Sequence, residues 1–356
     1  MSGDTRSVSA PRRRVLAYDA LRGLAIVAVV GIHTLMPLRD LLPNAAFGRV
    51  LDDLLHFAVP LFVFISGALV WAKPWPRSPG AYRTFLVRRT GAVLLPFMAW
   101  AGLYGVLYLA RAADPSAALR ALPGLLVSGH VWYHLYFVPM LLGFYVMTPL
   151  ASRLAHRSPE LLVVLAYVVR IALWPTLGAV LKESGPDLVW SVMQHITQHL
   201  PHMALGAWFA IRYDATARRM RILWPVSLAA GTAILLWAAL DLHRALPGTP
   251  RLFVYPVGMA LTVLGLAYGA FALEPLYDRY ERQVVGGGVL AFGVYFIHPA
   301  LLAALVALVP ARGWLSPFVT LGAWAAVTAG SYAASWALAR SPRTSWLAGV
   351  RPSASG

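Results

Sequence analysis

Long apolar runs separated by short polar segments dominate the chain. Runs near the ~20 residues needed to cross a bilayer recur at about 15–36, 53–72, 88–110, 131–151, 160–181, 191–211, 222–240, 252–273, 286–309 and 315–339. The pattern predicts an all-α polytopic membrane bundle of about ten transmembrane helices. The sixth run is the most polar, because Gln194, His195, Gln198, His199 and His202 fill its first half. The first run follows the basic cluster Arg12 to Arg14, as a signal peptide would. Asp19 and Arg22 interrupt its start and further spans follow, so it reads as an uncleaved first span. Residues 1–14 and 340–356 read as disordered tails around a transmembrane domain over 15–339. The longest outer connections, at about 37–52 and 111–130, are too short to fold as separate domains. Gly265 and Gly269 have the spacing of a helix-packing pair.

Composition agrees with a lipid solvent. Hydrophobic residues make up 59% of the chain and charged residues 12%, against ~25% charged in ordinary soluble domains. Mean hydropathy is +0.65. The net charge of +16 raises the question of nucleic acid, but its placement answers it. About 20 Lys and Arg fall in the segments on the N-terminal side of the spans and about 8 on the opposite side, the bias of a protein with both termini in the cytoplasm. The basic balance therefore reports topology and a bilayer partner, with no nucleic acid. Only Arg22 and Arg170 remain within spans. There are no cysteines, which removes disulfides, thiolate metal sites and a cysteine nucleophile together.

Candidate chemistry concentrates in the first span. Tyr18 to His33 is apolar except for Asp19, Arg22 and His33, and ionisable groups at membrane depth are costly enough to suggest function. Arg22 and His33 are eleven residues apart, about three helical turns, so they share a face at roughly 16 Å along the axis. Taken singly, Arg22 could snorkel to headgroups beside Asp19, and His33 could hydrogen-bond a neighbouring helix. Together on one face they place a fixed cation and a titratable imidazole along one path.

These residues carry a family resemblance. Asp19-Ala20-Leu21-Arg22-Gly23, followed by ten residues and then His33, resembles the first-helix signature of the acyltransferase-3 family. Three further stretches are similar to that family in the same order. They are Val59 to Gly67, whose Ser66-Gly67 end resembles the family's second-helix Phe-x-x-Ser-Gly stretch; Trp132-Tyr133-His134-Leu135-Tyr136-Phe137 with Met147 to Leu150; and Val294-Tyr295-Phe296-Ile297-His298-Pro299. The resemblance departs at one place. Members commonly carry a basic residue and an arginine three apart near the inner start of the third helix, whereas here Arg88 and Arg89 are adjacent and position 92 is Ala92.

The resemblance implies an integral membrane enzyme, in a bacterial inner membrane, that moves an acyl group, usually acetyl, from acyl-CoA to a hydroxyl of an envelope carbohydrate or lipid-linked sugar. Acyl-CoA is then a substrate, and no cofactor is permanently bound. Arginines at the inner mouth, Arg88 and Arg89 among them, suit a polyanionic donor. His33, with an ordinary imidazole pKa near ~6.5, suits a general base for a sugar hydroxyl. It equally suits a nucleophile that forms an acyl-imidazole. Arg22 would orient the donor or stabilise developing negative charge.

Asp19, Ser66, Tyr133, His134, Tyr295 and His298 are candidates for binding donor or acceptor, each with a packing or hydrogen-bonding reading beside it. Arg170, deep in the fifth run with no acidic neighbour in sequence, is a further site candidate. His195 and His199 are one turn apart, as are His130 and His134 at an expected outer helix start. They suit an acceptor-facing polar vestibule, or simply an interfacial helix, better than a metal, since no His-Glu-x-x-His pattern is present and Pro201 interrupts the approach of His202. The competing function is a glycan or glycolipid transporter in which the same ionisable groups line a path without covalent chemistry.

Overall fold

The computed structural model describes residues 15–36, 46–76, 78, 80–240, 251–310 and 316–350. The tail over 1–14, the end of the chain from Arg351, most of the expected connection at 37–52, and the loop arginines Arg39, Arg77, Arg244 and Arg312 lie outside the described residues. The described chain is helical throughout: α1 (Leu16–Thr34), α2 (Ala46–Leu55), α3 (Ala58–Val70), α4 (Ala81–Ala110), α5 (Pro115–Ser128), α6 (Phe137–Arg157), α7 (Pro159–Val168), a π-helical turn at Val169–Leu173, α8 (Trp174–Ser184), α9 (Asp187–Ala239), α10 (Arg251–Ala272), α11 (Glu274–Tyr277), α12 (Glu281–Leu308) and α13 (Pro317–Arg340). Eight helical stretches among the described residues are long and apolar enough to cross a bilayer. Side chains from all sides of α1 are buried, because α3, α10, α12 and α13 surround it.

The count of eight differs from the expected ten at two places. The runs at 191–211 and 222–240 fall within one helix, α9, and the last run forms α13, whose Thr, Ser and Gly residues make it less apolar than the other spans. With 53 residues, α9 would be ~80 Å long if straight, far more than a ~30 Å hydrocarbon core. It is not straight. Its first half starts with Ser191 and His195 beside His130 and reaches Arg212 on Glu160. Its second half runs antiparallel to α10, with Trp224 on Gly269, Leu228 on Gly265, Thr262 on Gly231 and Ile234 on Gly258. Phe209 also meets Tyr268 and Phe271 on α10. Phe209 and Trp224 thus pack on one end of α10, although fifteen residues of straight helix would separate them by ~22 Å. The helix bends between them, in the turn ahead of Pro225, whose missing backbone donor leaves the Arg221 carbonyl without its helical bond. Gly265 and Gly269 do serve close helix packing.

Local chemistry sets the entrance to α6. Asp114 caps α5 by accepting from Ser116 N and Ala117 N, at 2.9 and 3.0 Å, with Pro115 in the first turn. Gly129 ends α5 with φ +76, and a Cβ there would collide with the Leu135 backbone. The expected fourth span from 131 therefore begins as a helix only at Phe137, and residues 129–136 turn into the bundle.

The chain also keeps its structure past Arg340, where the sequence placed the start of a disordered tail. A 3₁₀ turn at Ser345–Ala348 packs on α12 and α13, with Ser345 and Ala348 buried. Trp100 Nε1 donates to Leu347 O at 3.0 Å, and Gly349, at φ +68, lies against the ring of Phe292.

Candidate active site

One cavity of about 490 Å³ runs along α1 and is lined by both Arg22 and His33. Its size is that of a small-molecule site. The walls come from Phe62 and Ser66 on α3, Arg89 and Val93 on α4, His134, Tyr136, Phe137 and Tyr145 around α6, Gly288, Phe292 and Tyr295 on α12, and Gly349 and Val350 at the end of the described chain. The α1 spacing read from sequence thus becomes a shared wall.

The Arg22 end is cationic. Arg22 Nη1 donates to Asp19 Oδ1 at 2.9 Å, one helical turn away, and Asp19 is only 1% exposed. Gly288 of α12 lies against Asp19 with no room for a side chain, so α12 covers the carboxylate. Arg89 adds a second guanidinium to this cavity, while Arg88 is not among its lining residues. A buried carboxylate that fixes one arginine while leaving a partly exposed guanidinium suits recognition of an anion.

The His33 end is a cluster of imidazoles and phenols. The His33 ring lies 4.5 Å from Tyr133 and 5.3 Å from His298, centroid to centroid. His134 meets His298 edge-on at 5.5 Å and Tyr295 at 5.0 Å. Tyr295 Oη donates to His134 O at 2.9 Å, which ties α12 to the turn before α6, and Tyr104 Oη on α4 donates to Phe296 O of α12 at 2.6 Å. His298 Nδ1 is 3.0 Å from Val294 O. A carbonyl only accepts, so Nδ1 carries the proton and Nε2 of the neutral ring keeps its lone pair. Among the described residues, His298 Nε2 and both nitrogens of His134 have no hydrogen-bonding partner. Buried polar atoms of this kind are available to a ligand or a bound water.

The structure sorts the residues expected from sequence. Arg22, His33, Ser66, Arg89, His134 and Tyr295 line the one cavity, while Asp19, Tyr133 and His298 contact its residues from behind. Ser66 donates its hydroxyl to Phe62 O at 3.0 Å, one turn back on its own helix, so only its oxygen lone pairs face the cavity. Arg170 lies apart, in a second cavity. His130 and His134 do not share a helix face, because the turn after Gly129 sends His134 into the imidazole cluster. His130 instead meets Ser191 and His195, with 3.4 Å between the two Nε2 atoms. Among the described residues no group of three His, Asp or Glu is arranged to hold a metal ion.

Some site residues were not singled out in the sequence. Tyr136 lines the cavity and stacks on His195 at 4.0 Å. It stands in the Trp132 to Phe137 stretch, and its alternation with His134 was the available signal. Tyr145, Gly349 and Val350 had none.

Comparison with known families matches residues 15–340 to an acyltransferase domain. The chain belongs to the acyltransferase-3 family. No curated protein and no solved structure matches it. Family membership and the membrane-length helices together make it a multi-pass membrane protein with an acyltransferase domain. The match ends at Arg340, so the segment that contributes Gly349 and Val350 to the cavity lies beyond the matched domain.

Proposed function

We propose that the protein is a membrane O-acyltransferase that moves an acyl group, in the simplest case acetyl, from cytoplasmic acyl-CoA to a hydroxyl of a cell-envelope carbohydrate or lipid-linked sugar. The observation that carries this reading is the single cavity whose wall holds Arg22 and His33. The chain crosses the plasma membrane ten times with both termini inside, α9 crossing twice through its bend and α13 crossing last. The donor's phosphates meet Arg22 and Arg89 at the inner end, through contacts that favour fixed guanidinium groups. The thioester then lies toward His33.

His33 takes the proton of the acceptor hydroxyl as its oxygen attacks the thioester carbonyl. An ester C–O bond forms, the C–S bond breaks, and the departing CoA thiolate recovers the proton from the imidazolium. His298 and Tyr133 hold the ring of His33 in place during the transfer. The competing sequence, through an acyl-imidazole on His33, uses the same atoms in two steps.

The test is transfer of radiolabelled acetyl from acetyl-CoA into membrane glycans, comparing wild type with His33→Ala at matched protein level. Loss of label with retained CoA binding supports the assignment. Undiminished transfer by the variant overturns it, and absence of thioester cleavage by wild type with any acyl-CoA points to a transporter.

A further inference from the structure

Arg170 sits near the middle of the apolar span Pro159–Ser184, in the π-helical turn Val169–Leu173. A π-bulge inside a helix is frequent at functional sites, and a guanidinium at that depth is costly without an anionic or polar partner. Among the described residues no hydrogen bond or ion pair is made to it. The titratable groups facing it from α9, His199 and His202, supply no negative charge.

Arg170 lines a second cavity, of about 270 Å³, between the Pro159–Ser184 span and the first half of α9. The cavity holds two cations, Arg170 and Lys182, and no carboxylate among its lining residues. They are twelve residues apart, so one lies at mid-span and the other ~18 Å further along the helix. Between them stand the indoles of Trp174 and Trp190 and the amides of Gln194 and Gln198. Lys182 Nζ is 5.5 Å from the Trp190 ring centroid. Indole faces are flat amphipathic platforms, and primary amides both donate to and accept from hydroxyls. The combination suits hydroxylated rings that carry negative charge at intervals. A lipid headgroup suits it less, because a single phosphate belongs at the interface and leaves Arg170 without a partner.

We propose that this cavity binds an acidic saccharide, with Arg170 and Lys182 each meeting a carboxylate or phosphate of the sugar chain. The inference rests on the acyltransferase reading for its biological sense, since it makes the acceptor an anionic glycan. His195, next to Gln194, touches Tyr136 of the main cavity, so the helix that binds this saccharide also borders the acyl-transfer site.

The experiment is calorimetric titration of the full chain in detergent with trigalacturonate, maltotriose and phosphatidylglycerol micelles as probes. Wild type should bind trigalacturonate at least tenfold more tightly than neutral maltotriose. Arg170→Gln should lose about tenfold in trigalacturonate affinity, and Arg170→Lys should restore most of it. Gln194→Ala should weaken both saccharides alike, which keeps the test independent of any folding defect at position 170. Equal binding of charged and neutral probes, no effect of Arg170→Gln, or competitive displacement by phosphatidylglycerol would each overturn the proposal. Because binding is read without acetyl-CoA, selective binding by a protein that transfers nothing would sink the enzymatic reading and leave this one standing.

Discussion

Asp19 fixes Arg22 through a 2.9 Å ion pair in which the carboxylate is buried and the guanidinium faces the cavity. With Arg22 in the donor-binding role proposed above, the arrangement makes Asp19 its positioning residue. Hydrogen bonds to charged groups are worth about 1.5–3 kcal/mol, so Asp19→Asn should loosen Arg22 more than it harms the fold. The expected outcome is a roughly tenfold rise in the KM for acyl-CoA, equivalent to ~1.4 kcal/mol, with kcat changed far less. Initial rates over a range of acyl-CoA concentrations read the split. A fall in kcat at constant KM would move Asp19 into the chemistry.

His298 stands to His33 as Asp19 stands to Arg22. Its ring is stacked 5.3 Å from His33 with 19° between the planes, and its Nδ1 proton is committed to Val294 O. If it orients the base, His298→Ala should lower kcat by about 10²-fold, the lower bound for a positioned general base, and leave the donor KM in place. The pH–rate profile should shift as well, since removal of a neighbouring imidazole changes the surroundings of His33. An unchanged profile with a proportional loss of folded protein would make His298 structural only.

Much of this site was legible in the chain because it lies on helices. The eleven-residue spacing of Arg22 and His33 fixed their common face, and both line the cavity. His298 and Tyr295 were visible as polar groups in an apolar run. The parts that sequence did not give depend on turns and on packing between distant segments. His134 was expected on a helix face with His130, but the left-handed Gly129 ends α5 and directs the two histidines to different neighbours. The polar stretch from Arg212 to Arg221 stays helical, so α9 runs unbroken through its bend where a break between two spans was expected. Gly349 and Val350 are unremarkable in sequence, and only the packing of the 3₁₀ turn against Phe292 and Trp100 brings them to the cavity.

The crossing of α3 and α9 depends on two glycines. A Cβ on Gly206 would fall on Phe64 O, and one on Gly67 would fall on Met203 O, backbone atoms that cannot step aside. Gly206→Ala should therefore push the two helices apart or prevent folding, at a cost at least that of overpacking, ~1–3 kcal/mol. Gly102→Ala, where nothing lies within 4 Å, should behave as wild type. Thermal unfolding in detergent, with the yield of monodisperse protein, distinguishes the pair. Equal stability of Gly206→Ala and Gly102→Ala would refute the close crossing.

The segment after Arg340 offers the sharpest separation of stability from specificity. Deleting residues 341–356 removes the buried Ser345 and Ala348 and strips Trp100 Nε1 of its acceptor, Leu347 O. An unsatisfied indole donor costs about 1–3 kcal/mol, so the truncated protein should unfold several degrees lower. The same deletion opens the cavity where Gly349 and Val350 close it, and the KM for acyl-CoA should rise by more than kcat falls. Val350→Trp acts in the opposite direction while leaving the 3₁₀ turn in place. By filling space at the wall, it should discriminate against longer acyl chains before it affects acetyl, read as a larger drop in kcat/KM for butyryl-CoA than for acetyl-CoA. If truncation lowers the unfolding temperature and both variants keep wild-type acyl selectivity, the segment braces the bundle without shaping the site.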